Sequence, residues 1–223
     1  FEIVDFPTIS ATVNPINSGT ITGTGAYEEG TDVTLTATAN TGYYFENWTE
    51  DGTVVSTNEN YTFMVENSRS LIANFSPHSY NINAIVSPNN TGTIAGTGQY
   101  FYNQTAELIA TPVDYYDFVN WTENELEVSN LANYSFIVTN TRDLVANFEL
   151  QSGYYLISAS SVPNDGGEIT GSGIYSQNST VELIATAETG YTFVNWTESG
   201  TPVSTNSTYS FTSIGNRTLV ANF

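Results

Sequence analysis

Gly190-Tyr191-Thr192-Phe193-Val194-Asn195-Trp196-Thr197-Glu198 decides the fold, because it occurs three times. The earlier copies are Gly42-Tyr43-Tyr44-Phe45-Glu46-Asn47-Trp48-Thr49-Glu50 and Tyr115-Tyr116-Asp117-Phe118-Val119-Asn120-Trp121-Thr122-Glu123. Each Trp is followed after 21 residues by an Arg (Arg69, Arg142, Arg217) and after 27 by the Phe of an Ala-Asn-Phe (Phe75, Phe148, Phe223). The three tryptophans are therefore one position used three times. The three arginines, the only basic residues besides one His, are another.

Outward from this stretch, three units align without a gap: residues 9–75, 82–148 and 157–223, each 67 long and identical at 26 positions. Pro15, Pro88 and Pro163 coincide, as do Gly23-Thr24-Gly25, Gly96-Thr97-Gly98 and Gly171-Ser172-Gly173, with Tyr27, Tyr100 and Tyr175 behind them. Residues 76–81 and 149–156 read as linkers, and residues 1–8 fill a third such slot. Self-similarity at a fixed period marks a repeat architecture.

Within each unit apolar residues recur every second position, the mark of half-buried strands. Val33, Leu35 and Ala37 alternate with threonines, and their copies are Ala106, Leu108, Ala110 and Val181, Leu183, Ala185. Ile9, Ala11 and Val13 open a unit; Leu71, Ala73 and Phe75 close it; Tyr61 and Phe63 alternate with Thr62 and Met64. Six or seven short strands per unit are expected, separated by Gly, Asn, Asp and Pro turns. No stretch of ten residues has helical periodicity. One helical turn at most is expected, in the Asn-rich segment 56–60 and its copies. The fold class expected is all-β, or β-rich and β-grasp-like with at most that one turn, in a tandem array of three small modules. A 67-residue unit without disulfides needs an efficient aromatic core. Tyr27, Tyr43, Phe45, Trp48, Tyr61, Phe63 and Phe75 can supply it, at roughly 150–250 Å² buried each.

The pattern Gly-Tyr-x-Phe-x-Asn-Trp followed by Arg-x-Leu-Val-Ala-Asn-Phe, complete in Gly190–Trp196 and Arg217–Phe223, resembles the divergent branch of the internalin B-repeat family. The resemblance covers all three units. It implies small β-rich modules in tandem on secreted or surface-attached bacterial proteins, serving as spacers, stalks or adhesive segments. Better-known members carry a β-grasp-like fold with a short helix, and the family implies no catalytic residues and no cofactor.

Composition narrows the function further. Three Lys+Arg against 23 Asp+Glu give a formal net charge of −20. Nucleic acid and anionic membrane are excluded as partners, since phosphate binding needs clustered Lys and Arg. No apolar run approaches the ~18 residues of a membrane span, and no signal segment is present. The chain opens on Phe1-Glu2-Ile3-Val4, as a mature or excised piece would. Cys is absent, which removes disulfides, thiolate metal sites and Cys nucleophiles. Lys is absent too, so no Lys–Asn isopeptide crosslink can stiffen the chain. The Asn, Thr, Ser and Gly content suits a secreted β-protein.

Several positions have two readings. On an ideal strand Trp48 lies opposite Tyr43, Phe45 and Asn47 and shares a face with Glu46 and Glu50. If that face is outer, Trp48, Trp121 and Trp196 form a ligand platform on which sugar rings could stack. If both faces are covered, or a bulge turns the Trp inward, they are core anchors. Arg69, Arg142 and Arg217 read as a pairing device: a salt bridge to Glu50, Glu123 or Glu198, or a stack on an aromatic face. The other reading is an anion or partner contact. Asp51-Gly52 and Asp165-Gly166-Gly167 resemble fragments of calcium loops, but lack the Asp/Asn ladder with a distal Glu; turn chemistry explains them, with calcium at the unit junctions as the alternative. Asn47-Trp48-Thr49 and its copies match the N-glycosylation pattern, while a strand Asn beside Trp is expected to hydrogen-bond backbone. His78 lies in a linker and has no Ser or Asp arrangement around it, so no enzyme is expected.

The function expected is a non-enzymatic, extracellular spacer or stalk. Two alternatives stand beside it. One is a glycan- or host-surface-binding module using repeated aromatic faces. The other is a self-assembling filament subunit, with the alternating segment 1–8 adding as a strand to a neighbouring molecule.

Overall fold

The computed structural model describes residues 5–223. The described residues hold 24 strands and no helix, eight strands to each repeat. In the first module these are β1 (Thr8–Asn14), β2 (Gly19–Thr22), β3 (Gly25–Ala26), β4 (Asp32–Ala39), β5 (Tyr43–Glu50), β6 (Thr53–Ser56), β7 (Asn60–Met64) and β8 (Arg69–Pro77). The same series recurs from Ser79–Ser87 to Arg142–Leu150 and from Tyr154–Val162 to Arg217–Asn222. Eight strands replace the six or seven expected, because pairing as brief as the two residues of β3 leaves no period in the sequence. The helical turn allowed at 56–60 does not form: these residues close β6 and open β7.

Each module has two sheets. One has five strands in the order β3-β1-β8-β5-β6, the other three in the order β2-β4-β7, and both orders repeat in all three modules. β1 runs parallel to β8, with Ala11 beside Leu71 and Val13 beside Ala73. β5 runs antiparallel to β8. Alternation along the strands turns Ile9, Leu71, Ala73 and Phe75 of the larger sheet toward Val33, Leu35 and Ala37 of the smaller one, and these form one buried cluster with Trp48. The third module has the equivalent cluster of Ile157, Leu219, Ala221, Val181, Leu183, Ala185 and Trp196.

Two devices carry the chain between sheets. After β1 a cis Asn14-Pro15 bond opens a turn in which the Ser18 hydroxyl donates to the Pro15 carbonyl at 2.6 Å. Ser87-Pro88 and Val162-Pro163 are cis as well. The chain then enters β2 at Gly19, which has no room for a side chain because the Phe75 ring lies against it. Phe148 and Phe223 lie on Gly92 and Gly167 in the same way. The return from β2 to β3 passes through Gly23, whose carbonyl accepts the Tyr27 hydroxyl at 2.9 Å. Tyr100 and Tyr175 bind Gly96 and Gly171 likewise, at 2.6 and 2.7 Å.

The chain divides into two compact units, Phe1–Ile85, Ile94–Ile109 and Trp121–Val145 in one, Val86–Thr93, Ala110–Asn120 and Ala146–Phe223 in the other. The middle module contributes to both. Its buried residues Ile82, Ala106, Leu108, Trp121, Val138 and Leu144 belong to the first, and Ala110, Ala146 and Phe148 to the second.

Residues 1–4 of the proposed assembly segment 1–8 lie outside the described residues. Its other end is engaged within its own module. The Pro7 carbonyl accepts the Tyr27 amide at 3.0 Å, and Thr8 lies opposite Ala26 in the ladder between β1 and β3. Among the described residues no helix is long and apolar enough to cross a membrane.

Candidate functional site

The aromatic stretch of the first module forms β5, and its ladder to β8 slips between Phe45 and Asn47. This bulge puts one extra residue, Glu46, on the outside and reverses the alternation beyond it. Phe45 and Trp48, three apart, consequently face the same core with ring centroids 5.8 Å apart. Phe193 and Trp196 do the same at 5.9 Å, while Val194 between them is 56% exposed. Of the two readings of Trp48, Trp121 and Trp196, the outward ligand platform does not form and the core anchor does, with the bulge turning the ring inward: all three are 0% exposed. Each indole N–H donates to a backbone carbonyl, of Glu59, Ala132 and Ser207, at 3.2–3.3 Å. In the third module Asn195–Glu198 pairs antiparallel with Leu219–Asn222.

The second constellation lies where β8 begins. Arg69 grips Glu50 through two nitrogens: Nε is 3.1 and 3.0 Å from the two carboxylate oxygens, and Nη2 is 2.6 Å from Oε2. Its Nη1 donates to the Tyr61 hydroxyl, and the guanidinium lies 4.3 Å from the centre of the Phe63 ring. Arg142 meets Glu123, Tyr134 and Phe136 in the same way, and Arg217 meets Glu198, Tyr209 and Phe211. Salt bridge and aromatic stack thus occur together rather than as alternatives. The clamp ties β5 and β8 of the larger sheet to β7 of the smaller one, across the edge of the core.

Geometry sets the protonation of the clamp. Hydrogen bonds from Arg69 hold the Glu50 carboxyl below its ordinary value of 4.5, against the raising effect of burial. Arg217 lowers Glu198 in the same way. Conversely, the bond to Glu50 raises Arg69, and the bond to Glu198 raises Arg217. At Arg142 burial pulls downward most strongly, but the hydrogen bonds to Glu123 and Tyr134 together carry the value upward. The arginine side chains are only 14–20% exposed. Removing one partner strands the other in a poorly hydrated position, at a cost of roughly 1.5–3 kcal/mol. Arg217→Ala should therefore lower the melting temperature clearly more than Glu182→Ala does, since Glu182 sits on an exposed strand face. A carboxylate with a depressed value contributes stability above its unfolded value and loses it as pH falls through the folded one. The melting-temperature gap between the wild type and Glu198→Gln should accordingly be full at pH 7 and close as the pH drops below 4.5. A gap that persists unchanged at pH 2 to 3 would contradict the assignment.

The strand asparagines pair side chain to side chain, beside the backbone bonding expected of them. The Asn47 Oδ1 accepts from the Asn74 side chain at 2.8 Å, and in the copies Asn147 and Asn222 also reach the backbone carbonyls of Asn120 and Asn195. The same Asn74 amide reaches Thr49, and its Oδ1 accepts from Asn14 at 3.0 Å, so a polar ladder crosses three strands of the larger sheet. Asn147 binds Asn120 and Asn222 binds Asn195, each at 2.8 Å. The middle residue of Ala-Asn-Phe therefore has a definite partner in the Asn-Trp motif, a pairing that sequence reasoning missed although both residues are invariant across the repeats.

Among the described residues no group of three or more His, Asp or Glu side chains converges as a metal site would require. Asp51 and Gly52 form the two-residue hairpin turn between β5 and β6, both with positive φ of 49° and 78°, as a type I′ turn demands. Asp165 accepts the Tyr191 hydroxyl at 3.0 Å. Ser213 is buried where the other modules carry Val65 and Val138, and its hydroxyl has no hydrogen-bond partner. Of the concave surfaces, one is lined by Glu29, Gly30, Glu66 and Asn67 and another by Asn164, Asp165, Glu168 and Glu188, while a third is mostly apolar, lined by Ala84, Ile85, Leu144 and Val145 together with Asn83 and Asp143.

Fold and site together define a class: a tandem array of small two-sheet β modules, each with a buried Trp and an Arg–Glu–aromatic clamp. The chain belongs to the divergent InlB B-repeat domain family, whose profile matches residues 9–79, 82–152 and 157–223. No curated protein matches the chain. Among solved structures, the TIE protein of Bacillus anthracis is 9% identical over 100% of this chain and 50% of its own, with a TM-score of 0.36. A three-domain immunoglobulin segment of titin, I67–I69, is 9% identical over 98% of this chain and 96% of its own, with a TM-score of 0.17. The chain thus spans half the length of the first of these structures.

Proposed function

We propose that this chain is a non-enzymatic spacer or stalk segment of a bacterial surface or secreted protein, with its work done by the folded modules themselves. One observation carries the reading. The side chains with the richest chemistry, Trp and Arg, are spent three times over on the same internal contacts, and the Trp surface is withdrawn from any ligand. The parallel pairing of β1 with β8 places the first and last strands of a module side by side at the centre of the larger sheet. Tension applied along the chain loads these two neighbours in shear, so that many ladder bonds must yield together. Membership in the B-repeat family supports placing the chain at a bacterial surface. The burial of the tryptophans favours the spacer reading over glycan stacking on those three rings.

Stretching the whole chain from its two ends by single-molecule force spectroscopy tests this. Three separate unfolding events are expected, each releasing roughly 22–24 nm of contour for a 67-residue unit before the folded length is subtracted. Extension without force peaks would overturn the spacer reading.

A further inference from the structure

The second linker is two residues longer than the first, and the two junctions show what the difference accomplishes. At the first, a single residue serves both modules. The His78 amide donates to the Gly42 carbonyl at 2.8 Å, and the His78 carbonyl accepts the Tyr102 amide at 2.8 Å. Tyr102 is thereby held beside Gly42. Its ring lies so close over that residue that a β-carbon there would collide with it, and it meets the Tyr43 ring edge-on at 5.7 Å. Gly42, Tyr43, His78 and Tyr102 all belong to the first compact unit.

At the second junction, within the other unit, the two duties are divided. The Gln151 amide donates to the Tyr115 carbonyl at 2.9 Å, and the Gly153 carbonyl accepts the Gln177 amide at 2.7 Å. Tyr115 occupies the repeat position of Gly42, and Gln177 that of Tyr102. Two added residues can span up to about 7 Å, enough to take position 177 out of reach of position 115. The aromatic ring has changed sides accordingly. Tyr115 itself carries it, at a positive φ of 70°, and packs on Tyr154 with ring centroids 5.0 Å apart.

We propose that repeat position 42/115 is a keyed joint, a docking notch for the opening segment of the module that follows. One aromatic ring fills the joint. A linker in which one residue makes both backbone bonds takes the ring from the following module, and a linker two residues longer takes it from the preceding one. The assignment concerns how successive modules fasten to each other and does not rest on the spacer reading.

Amide hydrogen exchange on the whole chain, compared among the wild type, Tyr102→Ala, Tyr102→Phe and Tyr154→Ala, tests it. Tyr102→Ala should speed exchange at the His78 and Tyr102 amides by about tenfold or more, while the core strand Thr105–Pro112 keeps its protection. Tyr102→Phe, which keeps the ring, should behave as wild type. Tyr154→Ala should loosen Gln151 and Gln177 and leave His78 unchanged. Unaltered protection of His78 in Tyr102→Ala would overturn the proposal. So would an equal rise along Thr105–Pro112, which would mean that the ring supports only its own module.

Discussion

Replacing Trp196 by Ala should unfold the third module. Truncating a buried large aromatic costs roughly 3–5 kcal/mol, lost transfer energy and residual cavity together. A unit of 67 residues has about 3–10 kcal/mol in total to lose. Trp196 is 0% exposed, touches Phe193 and ties its indole N–H to Ser207. Circular dichroism of the whole chain should then show part of the transition gone or shifted down by roughly 15 °C or more. The fluorescence of Trp48 and Trp121 should continue to report folded neighbours. A single melting curve identical to that of the wild type would remove Trp196 from the core.

The second large effect falls on a glycine. Gly171 holds a φ of 92°, and a β-carbon there would run into the backbone carbonyl of Glu182 on the adjacent strand. Neither conformation nor neighbour can yield cheaply, because the neighbour is main chain. Strain of roughly 1–3 kcal/mol and overpacking of similar size put Gly171→Ala at roughly 2–6 kcal/mol. Two comparisons isolate the cause. Gly200→Ala also meets a positive φ, of 79°, but open space, so strain alone should cost about 1 kcal/mol. Tyr175→Phe deletes only the hydroxyl bond to the Gly171 carbonyl, again about 1 kcal/mol. Chemical denaturation should show Gly171→Ala as clearly the least stable of the three, with the other two close to each other. Equality of Gly171→Ala and Gly200→Ala would refute the close approach.

Much of the fold was legible in the sequence, and the illegible part has a common physical cause. Alternation at Val33, Leu35 and Ala37 predicts a strand because each side chain answers to the two-residue period. Burial follows that period in all three copies. The repetition of Arg69 suggested two kinds of partner, and the structure contains both in one clamp. What could not be read are departures from the period. The bulge at Glu46 reverses the facing of Trp48, yet the bulged position is Glu in one copy and Val in the other two. It therefore has no residue signature, and whether the Trp face was inner or outer could not be decided from spacing alone. The bonds of His78 are equally silent. They use its backbone, which every residue has, and only the linker length hints at them.

The arginine clamps have one more consequence, for the field that the molecule casts into its surroundings. All three Arg side chains are bound to Glu50, Glu123 and Glu198 at the core edge. Subtracting these three pairs from 23 acidic residues leaves 20 carboxylates, which is the entire net charge. The charge of −20 is therefore not a balance struck between mixed surface patches; apart from the clamps, the ionised side chains carry a single sign. Such a surface answers to ionic strength in one direction, because added salt has repulsion to screen and little attraction to weaken.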